Sequence, residues 1–132
     1  MYLDWHHTSS RRGFSFYMQY RARIKSFDDE EVHKRVVKEY ERLFVKVMNQ
    51  FETLWLRNSP YIGGFEEMTI ADLSAACEMY MLNIQGIEID KWPKTKKWLD
   101  HMVFDVPEMK EVHSVIMEAV ERRKKKKSGP KL

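Results

Sequence analysis

Apolar and aromatic positions recur at spacings of three and four from the start of the chain. Leu3, His6/His7, Ser10, Phe14, Tyr17, Arg21 and Ile24 trace one face of a helix over residues 1 to about 25. The first half of that face is polar, which is unusual for a surface turned inward. Ser26 is suited to cap a second helix, with Asp28, Asp29, Glu30 and Glu31 in its first turn beside the positive end of the helix dipole. Its apolar positions are Val32, Val36, Tyr40, Leu43/Phe44, Val47, Phe51 and Leu54/Trp55, and Asn58-Ser59-Pro60 stops it near Arg57. At about 1.5 Å per residue this helix spans roughly 45 Å.

The connecting segment Tyr61-Ile62-Gly63-Gly64-Phe65 is too apolar for a solvated loop and is expected to pack on the core. In Met68-Thr69-Ile70-Ala71-Asp72-Leu73, Thr69 is placed to cap a third helix. Asp72 at the third helical position can reach back to the Thr69 N–H, forming a capping box with Asp in place of Glu. The third helix, about 70–84, is apolar nearly all round and is expected at the centre of a bundle. Glu78 within it requires a partner if it is buried. Pro93 opens a fourth helix carrying Trp98, Leu99 and Met102. Asp105-Val106-Pro107 starts a fifth, with Met109, Val112, Ile116 and Ala119/Val120 inward. The predicted fold is therefore all-α, a bundle of about five main helices.

Composition supports this and excludes several alternatives. Five Gly and four Pro in 132 residues are too few turn-makers for many short strands. No uncharged apolar run approaches the roughly 18 residues of a membrane span. The first residues lack the basic and apolar regions of a secretory signal. The single Cys77 cannot form an internal disulfide and suits a reducing compartment such as the cytoplasm. The net charge of +3 is unevenly spread: without the seven cations Arg122 to Lys127 and Lys131, the body stands at −4. We therefore divide the chain into a helical domain, 1–121, and a basic tail, 122–132, expected to be disordered. Such a run can also act as a nuclear import signal or bind RNA or acidic lipid, and Pro130-Lys131-Leu132 approaches a peroxisomal signal but departs at its first residue. A solvated end is the simpler reading.

Three segments carry a family resemblance. Tyr2-Leu3-Asp4-Trp5-His6-His7-Thr8-Ser9-Ser10-Arg11 resembles the first helix of the C-terminal domain of theta-class glutathione S-transferases. Tyr61-Ile62-Gly63-Gly64, followed by Thr69-Ile70-Ala71-Asp72-Leu73, resembles the loop, capping box and central helix of that domain. Trp92-Pro93 with Trp98-Leu99 resembles the helix after it, and order and spacing agree to about residue 120. The resemblance implies a helical domain that binds a small electrophilic substrate. Glutathione, the co-substrate, is then held mainly by a thioredoxin-like N-terminal domain that nothing in these residues matches. On this reading the chain alone is inactive, and the complete enzyme is a cytoplasmic homodimer that conjugates glutathione in detoxification.

The resemblance also implies candidate substrate-binding residues on the first helix. Arg11 matches an arginine of theta substrate sites, where a guanidinium can bind an anion or stabilise a departing one. His6 and Ser10 interrupt the apolar stripe as a cavity wall would, and Phe14 lies one turn further as an apolar wall. Against these stand plainer roles: Arg11 as a surface cation, His6 as a satisfied core histidine. Trp5 reads as core. Thr69 and Asp72 read as structural. No metal site is expected, because adjacent His6 and His7 point apart and His33, His101 and His113 lack partners at ligand spacing. Cys77 reads as an inert thiol. No catalytic residue is assigned within this chain. The competing function is a non-catalytic interaction module of the kind fused to translation factors and aminoacyl-tRNA synthetases. The Trp5-His6-His7-Thr8 to Arg11 pattern favours the transferase.

Overall fold

The computed structural model describes residues 1–128. Its described residues form five helical rods and no strand. Helix α1 covers 2–21 and is irregular. Between its α-helical ends, Tyr2–Trp5 and Tyr17–Arg21, two wider π-helical turns occupy His6–Ser10 and Arg12–Phe16. It ends earlier than the periodicity suggests, because Arg23 adopts a left-handed conformation (φ 56°) and reverses the chain. Ile24, expected inward, is 74% exposed, and Leu3 also faces solvent. Helix α2 runs from Glu30 to Gln50 and continues as Phe51–Trp55. Its cap is Asp29 and not Ser26: Asp29 Oδ1 accepts from the N–H groups of Glu31 (2.8 Å) and Val32 (3.1 Å), since the reversal at Arg23 carries the chain past Ser26 before the helix begins.

Helices α1 and α2 approach closely where Gly13 faces Val47. A Cβ at Gly13 would lie 3.0 Å from Val47 Cγ2. Phe14 and Tyr17 meet Phe44 beside this contact, with ring centroids 5.9 and 5.0 Å away. Tyr2 packs edge-on against Trp55 at the opposite end of α1.

The loop after α2 is only partly core. Ile62 is buried and Tyr61 half-buried, while Phe65 is 58% exposed. Gly63 and Gly64 take positive φ (81° and 88°), which lets the loop turn without strain. Helix α3, Ile70–Tyr80, continues as a tight turn, Met81–Gln85, closed by left-handed Gly86. It buries Ala71, Ala75, Ala76 and Met79, but Ile70 and Met81 at its ends are exposed, so it is central without being enclosed all round. Helix α4 starts at Pro93 and extends as Pro93–Asp100 and His101–Asp105. Glu52 of α2 caps it across space, accepting from Lys94 N (3.0 Å), Thr95 N (2.8 Å) and Thr95 Oγ1 (2.8 Å).

Helix α5, Pro107–Ser128, carries on through the basic residues that the sequence sets apart as a tail. Ion pairs one turn apart support it there: Glu118 with Arg122 (3.2 Å) and Glu121 with Lys124 (2.9 Å). The Pro130-Lys131-Leu132 reading lies outside the described residues. Within α5, Val112 is 60% exposed, contrary to expectation, and His113 takes the interior position. His113 can do so because its Nδ1–H donates to Met109 O (2.7 Å) and its ring meets Tyr80 edge-on. No described helix is long and apolar enough to cross a membrane.

Candidate functional site

The first widened turn of α1 faces the middle of α3, and a polar cluster forms between them. His6 and Ser10 are 1% and 0% exposed, and Ser10 Oγ lies 2.8 Å from His6 Nδ1. On the other side of the ring, His6 Nε2 lies 3.0 Å from Glu78 Oε2. A carboxylate can only accept, so this ion-pair contact favours the tautomer with its proton on Nε2. In the neutral ring Nδ1 then accepts from the Ser10 hydroxyl. Ser10 also has His6 O within 3.1 Å, so its proton has a second acceptor when the ring is an imidazolium.

Glu78 gathers two more groups from α1. Ser15 Oγ donates to Oε1 at 3.0 Å, and Arg11 Nε lies 3.7 Å from the same oxygen. Glu78 is nearly withdrawn from water (12% exposed) while Arg11 is 59% exposed, so the cluster runs from the interior to the surface. Burial pushes the Glu78 carboxyl up, but the hydrogen bond and charge of His6, with Ser15 and Arg11, outweigh it and hold the carboxyl below its ordinary value. It is therefore ionised at neutral pH. Tyr2, above the His6 ring, has its phenol pushed strongly upward by burial and by the charges of Glu78 and Asp72, and it stays protonated.

The four predicted site residues thus divide. His6, Ser10 and Arg11 are brought together by Glu78. Phe14 is 1% exposed and packs into the core against Phe44, away from this cluster. Glu78 was legible from sequence as a carboxylate in need of a partner. Ser15 had no signal.

Thr69 and Asp72 form a separate cluster at the start of α3. Thr69 Oγ1 accepts from Ala71 N, and Asp72 Oδ2 accepts from Thr69 N and Thr69 Oγ1, both at 2.9 Å. Asp72 Oδ1 reaches further, accepting from Ile62 N (2.9 Å) and Trp98 Nε1 (3.0 Å). It ties the preceding loop, α3 and α4 together. Cys77 is half-buried, and burial pushes its thiol up, which makes it a poor nucleophile.

A cavity of 1290 Å³ opens between the end of α2 and helix α4, with Leu56, Trp98 and Phe104 among its walls. Tyr61, His101 and Asp105 line it as a hydrogen-bonded chain: His101 Nδ1 to Asp105 Oδ2 (3.0 Å) and Tyr61 OH to His101 Nε2 (3.2 Å). None of His6, Ser10, Arg11 or Phe14 lines it. The sequence held half of this signal in the four-residue spacing of His101 and Asp105. Tyr61 comes from a loop 40 residues earlier.

The comparisons with known proteins agree with the fold. The family model "Glutathione S-transferase, C-terminal domain" matches residues 9–104. Among curated proteins of Arabidopsis thaliana, the chain is 26% identical to glutathione S-transferase T1, 27% to T2 and 26% to T3, each match covering 95% of this chain. It spans 54% of the T1 protein and 22% of the T2 and T3 proteins. No solved structure gives a significant match. With the five helices, the capping box and the family model in agreement, the chain belongs to the C-terminal domain family of glutathione S-transferases.

Proposed function

We propose that this chain is the electrophile-binding helical domain of a theta-like glutathione S-transferase. Glutathione is held by a thioredoxin-like domain outside these residues, in the same protein or in a partner chain. Its thiolate attacks the electrophilic carbon of a small substrate lying against α1. A C–S bond forms, and the leaving group departs with the bonding pair as an anion. Arg11 receives that developing charge, where a guanidinium is most effective. His6 and Ser10 support the site from behind, and Phe14 contributes by packing α1 onto α2. The complete enzyme is a homodimer acting in glutathione-dependent detoxification in the cytoplasm.

The observation that carries this reading is Arg11 itself. It lies between the two widened turns of α1, more than half exposed, with only its Nε side near a carboxylate among the described residues. Widened helical turns of this kind are frequent at functional sites. The T1, T2 and T3 names of the relatives support the class.

The test is conjugation by a protein that joins this domain to a glutathione-holding thioredoxin-like domain. With a halogenated arene as electrophile, Arg11→Ala is expected to lower kcat roughly tenfold to a hundredfold. Equal turnover with and without Arg11 across several electrophiles would remove the assignment. Absence of conjugation in a protein that binds glutathione would favour an interaction module.

A further inference from the structure

We infer that Glu78 is a positioning residue: it pairs with the Arg11 guanidinium on its Nε side and leaves the two terminal nitrogens as a fork for an anion. The inference rests on the reading of Arg11 as the anion-receiving group and adds the residue that aims it.

Three features support it. First, Glu78 stands on an interior helix among Ala75, Ala76 and Met79, where an apolar residue would pack without desolvating a charge. Second, its partners Ser15, His6 and Arg11 all come from α1, Ser15 and Arg11 at Oε1 and His6 at Oε2. The Ser15 hydrogen bond anchors Oε1 and the His6 ring lies 3.0 Å from Oε2, so Arg11 meets a carboxylate already restrained from α1. Third, the Arg11 nitrogen nearest Glu78 is Nε, which lies 3.7 Å from Oε1, at ion-pair distance and not in a hydrogen bond. No hydrogen bond or ion pair of its terminal nitrogens is recorded among the described residues. A guanidinium paired on its Nε side keeps the planar pair of donors that matches an oxyanion in two-point fashion. Without the carboxylate, an exposed Arg side chain would sample many rotamers and present this fork only part of the time. The negative charge of Glu78 opposes an incoming anion, but His6 at 3.0 Å and the Ser15 hydroxyl share it.

The experiment uses the 132-residue chain with ¹⁵N-labelled arginine. The Arg11 Nε–H signal is identified by its loss in Arg11→Ala, then followed during titration with sodium sulfate against sodium chloride at matched ionic strength. A saturable shift specific to sulfate is expected. In Glu78→Gln, with its fold checked by circular dichroism, sulfate affinity is expected to fall roughly two- to fivefold, the range for a half-exposed ion pair. In Glu78→Asp part of the affinity should return. If Glu78→Gln does not fold, Ser15→Ala supplies the test, since it loosens the carboxylate and keeps its charge; a smaller loss of affinity is expected. Unchanged affinity in the folded variant, or no sulfate shift in the parent chain, would overturn the inference. Glu78-dependent sulfate binding in a protein that shows no conjugation would support the positioning role while removing the transferase reading, so the two fail separately.

Discussion

Asp72 and Glu78 lie on the same helix, both carboxylates withdrawn from water, and their surroundings differ in kind. Asp72 accepts from four neutral donors: two backbone N–H groups, the Thr69 hydroxyl and the Trp98 indole. All four are elements of the fold, and none can change its charge. Glu78 meets a hydroxyl, an imidazole and a guanidinium, the last of which opens to solvent. The first carboxylate joins loop, α3 and α4 into one unit. The second links the helix core to a charged surface group. The difference teaches that burial of an acid does not by itself indicate function. What distinguishes the two is whether the partners are neutral donors of the fold or include ionisable side chains, one of them open to solvent.

Perturbing each side should separate the roles. The largest effect is expected for Asp72→Ala, which leaves the Ile62 N–H and the Trp98 indole N–H buried without their acceptor. Each such donor costs about 1–3 kcal/mol, so a loss of roughly 3 kcal/mol or more is expected in urea unfolding. A loss under about 1 kcal/mol would mean that water replaces the carboxylate and that the Asp72 cluster is not the structural one.

Thr69→Ala removes the acceptor for Ala71 N and one donor to Asp72. About 1 kcal/mol of cap stability should go, lowering the melting temperature by roughly 3–6 °C. An unchanged melt would contradict the cap.

The acid limb of the stability profile addresses Glu78. Its folded-state carboxyl is held below the ordinary value. It therefore stabilises the fold above the unfolded carboxyl's titration range and loses that contribution as pH falls through the depressed folded value. Unfolding measured across the acid range should show a shallower loss in Glu78→Gln than in the parent chain. Parallel profiles would place the acid sensitivity elsewhere.

The smallest stability effect is expected for Arg11→Ala. A pair with one partner 59% exposed contributes little, so the change should stay within about 0.5 kcal/mol. A larger loss would move Arg11 to the structural side of the comparison.

How far the sequence carried depends on the range of the interaction. The Thr69–Asp72 box is local, three residues long, and its spacing states its geometry. Its extension to Trp98 crosses 26 residues and left no mark in the pattern. On α1, Ser10, Phe14 and Tyr17 do face inward, but the widened turns and the early reversal at Arg23 shift the ends of the stripe, so Leu3 and Ile24 are exposed. Hydrophobicity alone ranked Val112 above His113, yet a histidine that donates to the carbonyl one turn back is acceptable inside. Glu78 was marked by its type and position. Its partners, 63 residues away in the case of Ser15, could be found only once α1 and α3 were side by side.

The proposed role gives this domain the electrophile side and leaves glutathione to be held elsewhere. Calorimetric titration of glutathione into the 132-residue chain tests this most directly. No binding heat is expected with this chain, and binding is expected once a thioredoxin-like domain is joined to it. Saturable binding by the helical domain alone would contradict the proposed role, because the glutathione site would then lie within these helices.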